Sequence, residues 1–502
     1  MAPCTMTSRP IKTRFTPRPT GLLHLGNIRT ALFNFLLARQ AQGLFLLRLE
    51  DTDAMRGHEK YTRALELDLR WLGLTWDEGP QVGGRHGPYA QSERGPLYKE
   101  YFSSLESRGL AYPCFCSEHE LAIARKTALA TGRPPRYSGK CHALSAKDVQ
   151  ARFSRGEPAT LRFRVEEGKT VEFEDKVRGP QAFRTDDIGD YVIRRSDGTP
   201  AFFFCNAIDD ALMGVTLVVR GEDHLTNTPR QILLLESLGL PIPDYAHIAL
   251  VVGADGAPLS KRTGSKSIED LRTAGFLPLA INNYLARLGH TFEVNTLMNL
   301  ELLATNFNLS RLGRAPARYD EDQLVYWQKE AIRFSSNEEL WEWMNSKTIL
   351  NSRVGNFVPK GKEFQFTNVI RENISNPDDA FIWAGNLFAT SNRYDHNAKS
   401  AITKVGTDFY KYALECLDED PTNFQAYVKR LEISTNKKGK SLFMPLRAAL
   451  TGEVNELISQ SGRTYEWNHG PQLEAVWGLL GMDLIRRRLN EAMTLTKTEG
   501  SY

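Results

Sequence analysis

Three short clusters carry the side chains of this chain that could do chemistry. His24-Leu25-Gly26-Asn27 follows a Pro/Gly-rich strand exit and stands at the mouth of a helix. Free amide groups and the helix dipole attract phosphate there. A histidine in a surface turn is the plain alternative, but Gly26 leaves room for a ligand's close approach, and a phosphate-contacting role is favoured for His24. Ser260-Lys261-Arg262 is the charged centre of a loop, GADGAPLSKRTGSKS, made of glycine, proline and small polar residues. Taken alone it reads as a solvated basic turn. Beside a phosphate site, a lysine on a Gly-flanked loop is what a phosphoryl leaving group requires, because its point charge can move onto charge that develops only in the transition state. Cys114-x-Cys116 returns at Cys141, with Tyr137 four residues earlier, and these four could complete the tetrahedron of a structural zinc. Adjacent Cys141 and His142 suit one ion poorly, since neighbouring side chains point apart. Three ordinary buried thiols are the competing reading.

The elements that must position these residues can be read from apolar spacing. Thr13 to Thr16 reads as a short strand, cut off by Pro17 and Pro19. Ile28, Ala31, Leu32, Phe35 and Leu36 then predict a helix with one buried face. Gly43 stops it, and Leu44 to Leu49 is an apolar run suited to a strand covered on both faces. The whole is a βαβ unit. Glu50 follows that second strand directly and is expected to face the crevice at its carboxyl end, where open α/β sheets bind ligands. Asp51 and Asp53 read as an acidic turn. Helices are predicted over 61–72 and 96–108, around a glycine-rich loop. From Ala159 the texture is β, with turns at Glu167-Gly168 and Asp197-Gly198, and the alternation continues into AFFFCN. This segment reads as a domain inserted between two halves of a nucleotide-binding fold. The second half resumes at Asn206, with a strand at 215–219, Arg220 to His224 at its end, and a helix capped by Asn227 or Thr228. A last strand is expected over 247–252.

The chain has 502 residues, which predicts several domains. It is 41% hydrophobic and 25% charged, as a globular protein is, and its net charge of +3 confines any nucleic-acid surface to a local patch. Six cysteines are too few and too uneven for a disulfide framework, which points to a reducing cytoplasm. No apolar run reaches membrane-spanning length. Beyond Gly289 the sequence reads as helical, after an Arg-rich loop at Arg311, Arg314 and Arg318, and a basic cluster stands at Lys437, Lys438 and Lys440.

HLGN at 24–27 resembles the HIGH signature of class I aminoacyl-tRNA synthetases, and LSKR at 259–262 resembles their KMSKS loop. TGLLHLGN, RLEDTD, GPYAQSE, DDALMGVTLVVRGEDH, NTPRQ and LSKRTG, in that order, are similar to the bacterial glutamyl-tRNA synthetases. The likeness covers about residues 12 to 290 and fades afterwards. It implies an α/β Rossmann-type catalytic domain split by an acceptor-stem-binding insertion, followed by an all-α anticodon-binding region. The implied boundaries are 12–113 and 200–255 for the catalytic halves, 114–199 for the insertion, 256–325 for the signature-loop and connecting domain, and 326–502 for the helical region. It also implies an ATP-dependent glutamate–tRNA ligase that uses Mg2+ and acts as a cytoplasmic monomer on L-glutamate and tRNA-Glu. Whether tRNA-Gln is also charged, and whether Zn2+ is bound, stay open.

The resemblance assigns Arg14 to the side-chain carboxylate of glutamate, Arg220 to the α-carboxylate, Glu50 to the ammonium, and Thr16, Phe202 and Asn206 to the same pocket. Planar guanidinium forks suit such bidentate pairing. Nucleotide contacts are expected from His24, Gly26, Asn27, Asp223, Ser260, Lys261 and Arg262, with His24 and Lys261 flanking the triphosphate. Three departures bear on affinity. Arg18 replaces a small hydroxyl, Phe202 stands where a tyrosine is usual, and Pro258 takes the first lysine position of the signature loop. A tRNA-modifying enzyme that glutamylates a base would share the catalytic half and the Cys/Tyr/Cys pattern, but the residues after about 320 argue against it. A binding-only relative is opposed by the presence of His24, Glu50, Arg220 and Lys261.

Overall fold

The computed structural model describes residues 10–52, 58–132, 136–259, 266–346, 353–389, 394–419, 423–453, 459–460, 463–464 and 470–498. Ser260, Lys261 and Arg262 therefore lie outside the described residues, as does Asp53. The chain divides into two compact units. One comprises residues 1–270 and 281–321, the other 271–280 and 322–502.

The first unit is α/β. Strand β1 (Lys12–Phe15) pairs in parallel with β2 (Leu44–Leu47), in the register Arg14 against Leu46. Between them runs a helix over Leu25–Gln40. Gly43 is needed where the chain re-enters the sheet, because a Cβ there would stand 1.9 Å from the carbonyl oxygen of Ile11. The helix is covered nearly all round instead of along one face: Ala31 to Ala38 are all buried. It packs on the strands from one side and on the helix Leu300–Asn306 from the other, and apolar residues at almost every position are the consequence.

The segment 114–199 divides between two sheets. Strands β3 (Ala111–Cys114), β4 (Thr160–Phe163) and β7 (Tyr191–Arg194) form an antiparallel sheet in the order β3-β4-β7. Strands β5 (Thr170–Asp175) and β6 (Gly179–Arg184) form a hairpin that extends the catalytic sheet. The order there is β6-β5-β9-β8, with β8 at Leu217–Gly221 and β9 at Asp244–Ile248. The join is a single parallel pairing, Asp175 against Tyr245. β8 lies beside β1, where the Thr216 amide donates to the Lys12 carbonyl at 3.0 Å.

The aromatic run at 202–204 is helical and not strand. Phe202–Leu212 is one helix that buries Phe204, Ile208 and Ala211. Three consecutive phenylalanines favour a strand intrinsically, but the spacing of the buried positions, continued past Asn206, decides the outcome. The helix Thr228–Leu238 starts at Asn227 with no side-chain cap from either candidate. The Thr228 hydroxyl is taken up elsewhere, as described below.

The second unit is helical and has its own core, with Ile332, Leu340, Phe366, Tyr410, Leu446 and Trp477 among its buried residues. Its helices include Pro377–Phe388, Thr407–Glu419 and Phe424–Thr435. Among the described residues no helix is long and apolar enough to cross a membrane.

Candidate active site

A cleft of about 860 Å3 opens at the carboxyl ends of β1, β2 and β8. Arg14, Thr16, Arg18, Glu50, Phe202 and Arg220 line one part of it. His24, Gly26, Asn27, Asp223 and Pro258 line another. The expected amino-acid and nucleotide residues among those described thus share one cavity, with the exception of Asn206.

Asn206 stands behind the wall. It is 1% exposed and donates from Nδ2 to Glu50 Oε1 at 2.6 Å. Glu50 is itself buried, and burial raises its pKa against the opposing fields of Arg48, Arg18 and Arg14 and the Asn206 bond. Its second oxygen, Oε2, is 3.6 Å from Arg18 Nε. The Arg18 guanidinium also lies over the Phe202 ring, 5.2 Å from its centroid. The two departures at positions 18 and 202 are therefore in contact with each other.

Beneath the cleft is an ion network that the sequence motifs did not reveal. Arg14 is 3% exposed and holds both oxygens of Asp210 from Nε at 3.3 Å, while Nη1 donates to the Val219 carbonyl at 3.2 Å. Arg48 reaches Asp210 Oδ1 at 2.8 Å. Asp209 accepts from Gln91, Arg94 and Tyr98 at 2.8, 2.7 and 2.8 Å. Burial alone would raise the Asp210 carboxyl, but Arg14 and Arg48 hold it below its ordinary range. The sequence did carry a signal for this pair. Asp209 and Asp210 sit inside an apolar helix, and carboxylates survive burial only when paired.

Arg220 is held differently, by neutral groups. Its Nε donates to His247 Nε2 at 3.1 Å and its Nη2 to the Thr228 hydroxyl at 2.8 Å. In the sequence His247 marks only the start of an expected strand. A histidine and an aspartate in the otherwise apolar DYAHIAL were the available hint.

On the nucleotide side, His24 precedes the helix Leu25–Gln40, and its carbonyl accepts from the Ile28 amide at 3.1 Å. Its imidazole fills the space that Gly26 leaves, since a Cβ at 26 would be 3.2 Å from the ring. The glycine accommodates the histidine as well as any ligand. The His224 ring lies tilted against Phe202, with centroids 5.3 Å apart, and burial lowers its pKa to about 4 against the opposing field of Asp223.

The thiols of Cys114, Cys116 and Cys141 lie within 4.8 Å of one another. Cys116 Sγ is 3.6 Å from Cys141 Sγ, and the Tyr137 hydroxyl is 3.4 Å from both Cys114 Sγ and Cys116 Sγ. A tetrahedral zinc with sulfurs at about 2.3 Å sets neighbouring sulfurs about 3.8 Å apart, so the spacing fits that ion. His142 turns away to Asp190, with Nδ1 to Oδ2 at 3.0 Å. Burial pushes the Cys114 thiol up, but Tyr137 and Arg162 outweigh it and bring it to about 7.

Residues 10–326 match the family model for the catalytic domain of class I tRNA synthetases (E and Q). A glutamate–tRNA ligase 2 from Nitrosococcus oceani is 51% identical over 97% of this chain and 99% of that protein. Another from Alkalilimnicola ehrlichii is 49% identical over 98% and 100%. Among solved structures, a glutamate tRNA ligase from Elizabethkingia meningosepticum, in complex with its amino acid, superposes with a TM-score of 0.84. It is 26% identical and covers 97% of this chain and 99% of that one. The cleft, its buried arginines and the helix entry at His24 are thus found on a shared fold and a shared sequence, and the chain belongs to the class I tRNA synthetases of the E and Q family.

Proposed function

We propose that the chain is an ATP-dependent glutamate–tRNA ligase. The observation that carries this is one cleft in which an anionic residue, Glu50, and three arginines, Arg14, Arg18 and Arg220, adjoin a phosphate-binding helix entry at His24. The relatives' names support the same substrates for this chain, namely glutamate and tRNA-Glu. Mg2+ enters with ATP as part of the substrate.

In this reading Glu50 receives the α-ammonium, Arg220 the α-carboxylate and Arg14 the side-chain carboxylate. An oxygen of the α-carboxylate attacks the α-phosphorus, a new P–O bond forms, and pyrophosphate leaves. The 2′-hydroxyl of the terminal adenosine of tRNA then attacks the acyl carbon, and AMP leaves. Catalysis is positioning plus charge stabilisation, with no covalent bond to the protein. His24 and Lys261 take the charge of the triphosphate and the leaving group, and Gly26, Asn27, Asp223, Ser260 and Arg262 complete the nucleotide site. Thr16 and Phe202 close the amino-acid pocket, and Asn206 orients Glu50.

Cys114, Cys116, Tyr137 and Cys141 would hold a zinc ion whose role is to cross-link the segment around β3, away from the reacting atoms. A cytoplasmic location belongs to the same reading, in keeping with six cysteines too few and too uneven for a disulfide framework. ATP–pyrophosphate exchange, run with glutamate, with glutamine and with and without tRNA, tests the proposal. Exchange that depends on glutamate is expected. Exchange indifferent to glutamate would remove it.

A further inference from the structure

Arg220 differs from the two buried arginines that meet Asp210. Arg14 and Arg48 are each paired with a carboxylate of the helix Phe202–Leu212. Arg220, 5% exposed, has no carboxylate within salt-bridge distance among the described residues. Both of its anchors are uncharged acceptors, His247 Nε2 at 3.1 Å and the Thr228 hydroxyl at 2.8 Å. Nη1 is buried, and no described group accepts from it.

The proton inventory of this corner is fixed by geometry. An arginine Nε can only donate, so His247 Nε2 must carry a lone pair. The Thr228 hydroxyl, 3.1 Å from the same nitrogen, accepts from Arg220 and donates to the ring. The ring's one proton is then on Nδ1, which points at Asp175 Oδ2 at 2.6 Å. Asp175 and His247 are 1% and 0% exposed. Asp175 is fixed in turn by the amides of Val177 and Arg178 at 3.0 and 2.7 Å, and both its oxygens accept from the His247 amide at 3.2 Å. Burial lowers the His247 pKa, and Arg220 and Arg14 add to the effect against Asp175, which agrees with a neutral ring.

We propose that His247 is a positioning residue for the amino-acid substrate, a neutral spacer that orients Arg220 without cancelling its charge. A carboxylate set directly on Arg220 would hold the guanidinium equally well, but would offset part of its charge, as Asp210 does at Arg14. With the imidazole between them, Asp175 supplies the orienting force and the positive charge stays available at the cleft. Burial brings Arg220 down to about 10, so it remains a cation at neutral pH. The relay also reaches out of the nucleotide-binding halves. Asp175 ends β5, the strand whose one pairing with β9 joins the inserted hairpin to the catalytic sheet. The seating of that hairpin therefore sets the aim of Arg220.

The inference rests on the assignment of Arg220 to the α-carboxylate. As one oxygen of that carboxylate bonds to phosphorus, the other keeps its contact with Arg220. The contact is then held alike in the ground and transition states, and its loss appears in KM and not in kcat. In the exchange assay His247→Ala is expected to raise KM for glutamate about 10- to 100-fold, the range for losing a hydrogen bond to a charged group, with kcat and KM for ATP nearly unchanged. His247→Gln retains an acceptor at the reach of Nε2 and is expected to restore most of the affinity. Equal changes in glutamate and ATP parameters, or no rescue by glutamine, would overturn the proposal. Nitrogen NMR of histidine-labelled wild-type protein gives a readout that needs neither activity nor a variant that keeps its activity. The resonances missing in His247→Gln assign the ring, which is expected to be neutral with the proton on Nδ1. A proton on Nε2, or a charged ring, refutes the relay. Absence of glutamate-dependent exchange in the wild type would strike the functional reading, while the tautomer still decides the relay.

Discussion

At the scale of single residues, selectivity for glutamate over glutamine turns on which cation meets the distal group. Arg14 and Arg18 both line the cleft, but they are held differently. Arg14 is locked by Asp210 and the Val219 carbonyl at 3% exposure, whereas the Arg18 side chain is 56% exposed and rests on Glu50 and Phe202. A fixed fork pairs with a carboxylate through two charge-assisted bonds, and an amide offers it one acceptor and a misplaced donor. Arg14→Gln is therefore expected to weaken kcat/KM for glutamate by about 2–4 kcal/mol, with a much smaller loss for glutamine. Arg18→Ser is expected to leave the ratio in place. Exchange assays on the two single variants and the double variant check this, and collapse of selectivity in Arg18→Ser alone would transfer the role to Arg18. The residues proposed to touch ligand are legible because short motifs carry them. Asp210, His247, Asp175 and Thr228 are not, because they act through another side chain and are far from it in sequence. Arg14 and Asp210 are 196 positions apart, and no local pattern marks such a pair.

At the scale of elements, the loop after the helix His58–Trp71 shows how a glycine-rich stretch can be ordered by charge. Glu78 is 5% exposed and binds Lys12, His86 at 2.7 Å and Tyr89 at 2.7 Å, so it ties β1 to the loop. Burial opposes its ionisation, but those partners win and lower its pKa from 4.5 to about 2. The sign follows directly. A carboxyl whose folded pKa is depressed stabilises the fold above its unfolded value, and the contribution is lost as pH falls from 4.5 toward 2. Glu78→Gln is expected to cost about 3 kcal/mol near neutral pH, since it leaves a buried lysine unpaired, and to flatten the acid limb of stability. Urea titrations of both proteins across that pH range measure it. The cysteine cluster is expected to hold about one equivalent of zinc, the stoichiometry of a four-ligand structural site. Metal analysis of protein never exposed to chelator checks this, and removal of the ion should loosen the segment around Cys114 and Cys141 with little effect on exchange. Element types are legible wherever apolar spacing runs long, as over 25–40. They are not legible at Phe202, where three aromatic residues favour a strand although the burial that decides the matter comes from the following turns.

At the scale of the whole molecule, the chain crosses between its two units more often than a simple bead-on-string order implies. Residues 271–280 leave the α/β unit, join the helical one, and return before the final crossing after Glu321. One buried side chain makes three of the bonds that hold that excursion. Gln328 is 1% exposed; its Nε2 donates to the carbonyls of Gly275 and Ser375 at 3.1 and 3.0 Å, and its Oε1 accepts from the Leu277 amide at 2.9 Å. Trp343 adds a bond from Nε1 to the Gly275 carbonyl at 2.9 Å. An amide is suited to this place because it can donate and accept at once, and three backbone groups depend on it. Truncation strands them in the interior, where each unsatisfied group costs about 1–3 kcal/mol, although Trp343 still serves Gly275. Because the units have separate cores, unfolding is expected to show two transitions and not one. Gln328→Ala is then expected to lower the midpoint of the helical transition by an amount equivalent to about 2–4 kcal/mol and to leave the α/β transition in place. Glutamate-dependent exchange below the first transition should keep its KM, because among the described residues none that lines the cleft belongs to the helical unit. Calorimetry resolves the two transitions, and a single shared shift would show that the excursion 271–280 couples the units instead of being absorbed by one of them.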